Sequence, residues 1–178
     1  MTRIALVNPD APGRSADLLA AVRSKLGLVP NMTRAMANAP AVLEGYLGLS
    51  GALGGGALDA RLRQRIALLV AQENECTYCL SAHTAIGKRL GMSEVDLADA
   101  RRGRSDAKST AALRFGARLL AERGGVSDDD LRAVRDAGFS DGEIAEIVAH
   151  VALNVLTNLF NRAFAVDVDF PVVAARAA

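Results

Sequence analysis

Apolar residues Leu18, Leu19, Val22 and Leu26 recur three or four positions apart, and Gly27 follows them, so the spacing predicts a helix over residues 15–26. Pro30 interrupts the chain before a second helix over 32–39. Pro40 suits the first position of a third, which carries Leu43, Tyr46 and Leu47. Residues 51–56 then read as a glycine-rich connector. It is not a phosphate loop, because no strand precedes it and no Gly-Lys-Ser/Thr follows.

The helical period returns near Asp59, with Leu62, Ile66, Leu69 and Val70 on one face, and Asn74 reads as a local break. A further helix is expected from the cysteines at 76 and 79 to Leu90, ended by Gly91. Ser93 is placed to cap a helix over 94–101, and 101–108 reads as a polar connection. Residues 109–123 form another helix, closed by Gly124 and Gly125. Ser127 and the three aspartates after it open a helix over 131–137, where acids suit the positive helix end. Ser140 and Glu143 make a capping box for a long apolar helix from 142 to about 164. Residues 166–171 read as extended, and the chain ends in an Ala-rich stretch. No period-two alternation occurs between 15 and 165, so the expected fold class is all-α. The organisation expected is an N-terminal helical arm (1–57), a helical core (58–165) and an extended tail (166–178).

The 178 residues suffice for one domain or two small repeats with a buried core, and 51% hydrophobic against 23% charged residues is a globular composition. The net charge of +1 gives no cationic excess for phosphate binding. With 4% aromatics and no Trp, base-stacking platforms are disfavoured as well, so nucleic acid is not an expected partner. No apolar run approaches the roughly 20 residues of a bilayer span. The short patch from Ile4 to Val7, closed by Asn8, Pro9 and Asp10, is too brief for a secretory signal, so no membrane partner and a cytoplasmic location are expected.

In such a reducing setting the two cysteines carry the chemistry. Cys76 and Cys79 stand three apart with His83 four residues on. At about 100° per residue these positions share one helix face. A thiolate is the nucleophile, and an unperturbed thiol pKa of about 8.5 leaves little of it at neutral pH. A helix N-terminus favours Cys76 as the thiolate, whereas a histidine one turn away favours Cys79. A second thiol within reach traps the sulfenic acid left by peroxide attack. A thioredoxin arrangement is disfavoured, because here a helix, not a strand, feeds the motif.

The pattern Cys-x-x-Cys-x-x-x-His after an amphipathic helix resembles the alkyl hydroperoxidase D-like family, which shares its fold with carboxymuconolactone decarboxylases. The likeness extends to residues 18–30, to the run from Leu80 to Lys88, and to Asp167-Val168-Asp169-Phe170-Pro171, which look like its peroxidase-related branch. The resemblance implies an all-helical oligomer, a trimer or a multiple of trimers. It also implies hydroperoxide reduction with no bound cofactor, and re-reduction by an external dithiol such as a lipoyl-carrying protein. By position it makes Cys79 the attacking thiolate, Cys76 the resolving thiol and His83 the base. The family places a Glu twelve residues before the first cysteine, whereas this chain has Gln64, which can orient a proton donor but cannot hold a proton. Glu73 and Glu75 are the nearby carboxylates in sequence.

Other readings remain. Cys76, Cys79 and His83 are also a possible zinc set, with His150 as the remaining histidine. A lactone decarboxylase on the same scaffold would need neither cysteine, and a non-catalytic assembly protein would use the helices alone. Along the last helix, His150, Asn154, Asn158 and Asn161 form a polar stripe on an otherwise apolar surface; a hydrogen-bonded seam is the favoured reading over a pocket wall. Tyr78 either shields a pocket or packs. Residues 59–90 and 140–165 resemble one another as helix patterns, and only the first carries cysteines. That last helix gives more apolar surface than a small bundle needs, and an oligomer is expected.

Overall fold

The computed structural model describes residues 1–175, and among these there are nine α-helices and no strand. They are α1 (Arg14–Leu26), α2 (Asn31–Met36), α3 (Pro40–Gly54), α4 (Ala60–Glu73), α5 (Thr77–Arg89), α6 (Glu94–Arg101), α7 (Ala107–Ala121), α8 (Asp128–Asp136) and α9 (Asp141–Ala163).

The helix starts follow from short polar side chains. Ser93, Ser127 and Ser140 each accept from the amide three residues on, and Asp96, Asp130 and Glu143 return the bond, which completes three capping boxes. The Asp59 carboxylate accepts from the Arg61 and Leu62 amides, and Asp106 accepts from Ser109. Each such cap contributes on the order of 1 kcal/mol. These caps move the starts of α7 and α8 a few residues earlier than the apolar spacing suggests.

The glycine-rich segment departs further from expectation. Helix α3 runs on through Gly48 and Gly51 to Gly54, so the connector is only 55–59. Each interior Gly costs about 1 kcal/mol relative to Ala, but Leu43 is fully buried and Tyr46 and Leu47 pack on the core, which holds the helix. The turn after it is pinned by Glu146 of α9, whose carboxylate accepts from the Ala57 and Leu58 amides at 2.8 and 3.0 Å. Gly56 lets this carboxylate approach closely: a Cβ there would stand 2.5 Å from the Glu146 Oε2 and displace it.

Helix α4 is the centre of the bundle and packs against α5, α6, α7 and α9. Its residues Ile66 to Ala71 are all buried. On one side lies a cluster with Leu113, Phe115 and Ile147; on the other lies one that contains both cysteines together with Leu19, Met36 and Leu43 from the first 57 residues. The tail closes over this second cluster. The Val173 amide donates to Ser81 Oγ at 2.9 Å, Gln72 Nε2 donates to the Ala175 carbonyl at 2.6 Å, and the Asn31 amide donates to Asp169 at 2.7 Å. Residues 166–175 form neither helix nor strand, and 176–178 of the expected tail lie outside the described residues.

Helix α9, 23 residues long with an 18-residue stretch of mean hydropathy 1.3, is long and apolar enough by length and composition to cross a bilayer, which the reading of apolar runs did not anticipate. In this structure it packs against α3, α4, α5 and α7 and buries His150, Asn154, Asn158 and Asn161.

Candidate active site

The cysteine motif is positioned by the turn between α4 and α5. Asn74 ends α4, Glu75 takes a left-handed conformation (φ 52°), and the Cys76 amide returns to the Ala71 carbonyl at 2.9 Å. Two residues of α9 hold this turn: Asn158 Oδ1 accepts from Asn74 Nδ2 at 3.0 Å, and Arg162 donates to the Asn74 carbonyl. Cys76 is therefore the N-cap of α5, and its sulfur accepts from the Cys79 amide at 3.2 Å. The two cysteines form a disulfide, with Cα atoms 5.3 Å apart, and both are buried.

A cavity of about 470 Å³ opens beside this pair. Cys79 lines it and Cys76 does not, so the sulfur presented to a small molecule is that of Cys79. His83 and Gln64 share the wall, and Gln64 Oε1 lies 2.8 Å from His83 Nδ1. An amide oxygen only accepts, so Nδ1 carries the proton and Nε2 is the basic nitrogen. Burial lowers the His83 pKa to about 4, and the imidazole is neutral at pH 7. Neither Glu73 nor Glu75 lies on the cavity wall, so the neutral amide is what faces the histidine.

Two further residues enclose the sulfur. Asn161 Nδ2 stands 3.3 Å from Cys79 Sγ and 3.2 Å from Met32 Sδ. Tyr78, between the cysteines, lines the cavity, accepts from the Met32 amide at 3.1 Å, and meets Phe170 edge-on at 5.7 Å. Burial raises its hydroxyl pKa, helped by Asp169, so the phenol stays protonated. Tyr78 thus both packs and walls the pocket.

The polar stripe of α9 divides in two. Asn158 forms the expected seam with Asn74, whereas His150, Asn154 and Asn161 are cavity wall. Sequence reasoning saw the stripe but not its role. The available signal was its spacing: four polar positions on one face of an apolar helix mark a face that meets something polar. The zinc alternative finds no support, since no group of three or more His, Cys, Asp or Glu suited to a metal ion occurs among the described residues.

Fold and site define a helical protein with a buried Cys-x-x-Cys pair of which Cys79 lines a cavity. Residues 40–123 match the model of the carboxymuconolactone decarboxylase family. The fold is that of an alkylhydroperoxidase AhpD core, an uncharacterized peroxidase-related protein from Ralstonia eutropha (TM-score 0.85, 23% identity, covering 94% of this chain and 92% of that one). It is likewise similar to an uncharacterized peroxidase-related protein from Silicibacter sp. (TM-score 0.81, 25% identity, 97% and 92% covered). A third similar structure is the debrominase Bmp8 (TM-score 0.77, 21% identity, 94% and 91% covered). A cysteine-to-alanine variant of that enzyme is known in complex with 2,3,4-tribromopyrrole. No protein of curated function matches the sequence. The chain is thus similar to the carboxymuconolactone decarboxylase family over residues 40–123, and it shares the fold of AhpD-like peroxidase-related proteins.

Proposed function

We propose that this protein is a cytoplasmic dithiol peroxidase that reduces organic hydroperoxides. The observation that carries the reading is the cavity-facing Cys79 sulfur, bonded to Cys76 on its buried side and reached by the Asn161 amide. In the reduced protein, His83 Nε2 takes the Cys79 proton, and the Asn161 N–H stabilises the resulting thiolate. The thiolate attacks the terminal peroxide oxygen and the O–O bond breaks. The alkoxide takes the proton from His83 and leaves as an alcohol, while Cys79 becomes a sulfenic acid. Cys76 then attacks that sulfur, water departs, and the disulfide forms. The sum is ROOH plus two thiols giving ROH, water and one disulfide. An external dithiol, for instance on a lipoyl-carrying protein, exchanges with the disulfide and restores both thiols. The oxygen of Asn161, buried and without a hydrogen-bond partner among the described residues, is available to accept from the hydroperoxide O–H. The working form is a homo-oligomer, a trimer or a multiple of trimers.

The test is mass spectrometry of reduced protein after one equivalent of organic hydroperoxide. Loss of two hydrogens mapped to Cys76–Cys79, reversed by dihydrolipoamide and abolished in Cys79→Ser, supports the proposal. Turnover of a lactone acid that survives Cys79→Ser would instead favour the decarboxylase chemistry of the family.

A second reading uses the same thiols. The cavity is larger than a peroxide group requires, and a debrominase shares the fold. Two thiols and an aryl bromide balance as arene, bromide, one proton and a disulfide. Bromide release from a brominated pyrrole, with no consumption of hydroperoxide, would select this reading.

A further inference from the structure

The cavity lining reaches well beyond the cysteine pair, and its far part is built from groups that the thiol chemistry does not use. The wall follows α9 from Asn161, beside Cys79, back through Asn154 to His150. The eleven helical steps from His150 to Asn161 span about 16 Å at about 1.5 Å per residue. At the His150 end the wall is completed by Arg63 of α4 and Ser50 and Gly54 of α3.

Three observations make this end a binding site. His150 is 5% exposed, and its Nε2, buried in the cavity wall, has no hydrogen-bond partner among the described residues. A buried polar atom left so costs roughly 1–3 kcal/mol, and a ligand that satisfies it recovers that cost. Arg63 faces the same space. Its Nη1 is held by the Leu53 and Gly54 carbonyls at 3.2 and 2.7 Å, which fixes the guanidinium at the end of α3, and its charge has no carboxylate within ion-pair distance among the described residues. The one acid of the neighbourhood, Glu146, is bound to the Ala57 and Leu58 amides and lies off the wall. The cavity wall as a whole carries Lys25, Arg63 and two histidines but no Asp or Glu, while most of the rest is apolar.

We infer that the Arg63–His150 end binds the carboxylate of an amphipathic substrate whose apolar body runs along α9 and presents its reactive group to Cys79. After about 3 Å of contact at each end, some 10 Å remains between carboxylate and reactive atom. This rests on the proposed thiol reaction for what happens at the Cys79 end, but not for binding, so the two are tested apart. Within the reaction the carboxylate is a handle that neither gains nor loses a bond. Arg63 and His150 are specificity residues. His150 is held neutral by burial and by Arg63, against the opposing pull of Glu146 and of its bond to the Leu53 backbone. A carboxylate beside it therefore favours proton uptake.

The experiment is calorimetric titration of the intact disulfide protein with decanoate and with methyl decanoate at pH 7, in two buffers of different ionisation heat. The expected result is decanoate binding about tenfold or more tighter than the ester. Binding should also take up a fraction of a proton. In Arg63→Gln the preference collapses, and in His150→Gln both the preference and the proton uptake fall, with melting curves verifying the fold. Equal affinity of the wild type for acid and ester overturns the inference, as does a preference that survives either substitution in a folded variant. Since no turnover is read, a protein that binds decanoate but consumes no hydroperoxide keeps this site and loses only the peroxidase reading.

Discussion

Asn161 of α9 donates from Nδ2 to the sulfur of Cys79 at 3.3 Å, across 82 positions of sequence. In the disulfide this is a weak contact; on the thiolate it is a hydrogen bond to a charge, worth about 1.5–3 kcal/mol. At 1.36 kcal/mol per pKa unit, its loss should raise the Cys79 thiol by about 1–2 units. Asn161→Leu, close in volume, is the variant to make. The pH dependence of iodoacetamide alkylation of reduced protein should move upward by that amount, and an unmoved profile would remove Asn161 from the thiolate's surroundings.

Gln64 and His83 make the second relationship. The amide oxygen fixes the imidazole tautomer but adds no charge, so burial alone decides the pKa, near 4. A base this weak is a poor match to a thiol of about 8.5. In Gln64→Glu a carboxylate faces the same Nδ1 and raises the histidine toward neutrality. Hydroperoxide turnover near pH 7, measured with saturating dihydrolipoamide, should rise about tenfold or more. No gain with both cysteines intact would mean that this position does not limit the reaction.

The same histidine links stability to pH. Its folded pKa, about 4, lies below the ordinary 6.5, so the unfolded chain binds more protons between these values. Stability is therefore full above pH 6.5 and falls as pH drops toward 4. His150, also lowered by burial, acts in the same direction. The carboxylates lowered by their caps, such as Asp96, Asp130 and Glu143, lose their contribution only at lower pH. Melting temperatures taken at pH 7.5, 6 and 5 should fall in the wild type and fall less in His83→Gln. Parallel curves would show that the imidazole is not desolvated.

The helical class, the capped starts and the placing of Cys79 and His83 one turn apart on one helix were legible in the sequence because each is local, whereas Cys76 is the N-cap and leaves that face. Ser-x-x-Asp/Glu boxes and i, i+3, i+7 spacing need no tertiary information. What was not legible depended on distant partners. Gly51 and Gly54 read as part of a connector because their intrinsic preference is against helix, while the burial of Leu43 and the Glu146 tether that override it come from elsewhere in the chain. His150 and Asn161 read as a seam because a polar stripe does not reveal whether protein or cavity faces it; Asn158 lies off the cavity wall and bonds Asn74, whereas His150 and Asn161 line the cavity. The preference for Cys79 came from His83 one turn on; the structure adds that Cys79 lines the cavity while Cys76, the N-cap of α5, does not.

The outer face of α9 supports the proposed assembly. Val148, Leu156 and Leu159 recur at helical spacing and are 42%, 43% and 64% exposed, opposite the polar face that walls the cavity. Helix α3, packed beside α9, exposes Val42 and Leu49 as well. Apolar residues gathered on one face of a monomer are a common mark of an interface, and a second copy of the chain supplies a matching apolar surface. A Leu156→Lys, Leu159→Glu double variant places charge in that contact without touching the cavity lining. Sedimentation should give a multiple of 18.6 kDa for the wild type and a smaller species for the variant. A wild type that sediments as a single 18.6 kDa chain at micromolar concentration would leave this stripe without a partner copy and the oligomer proposal without support.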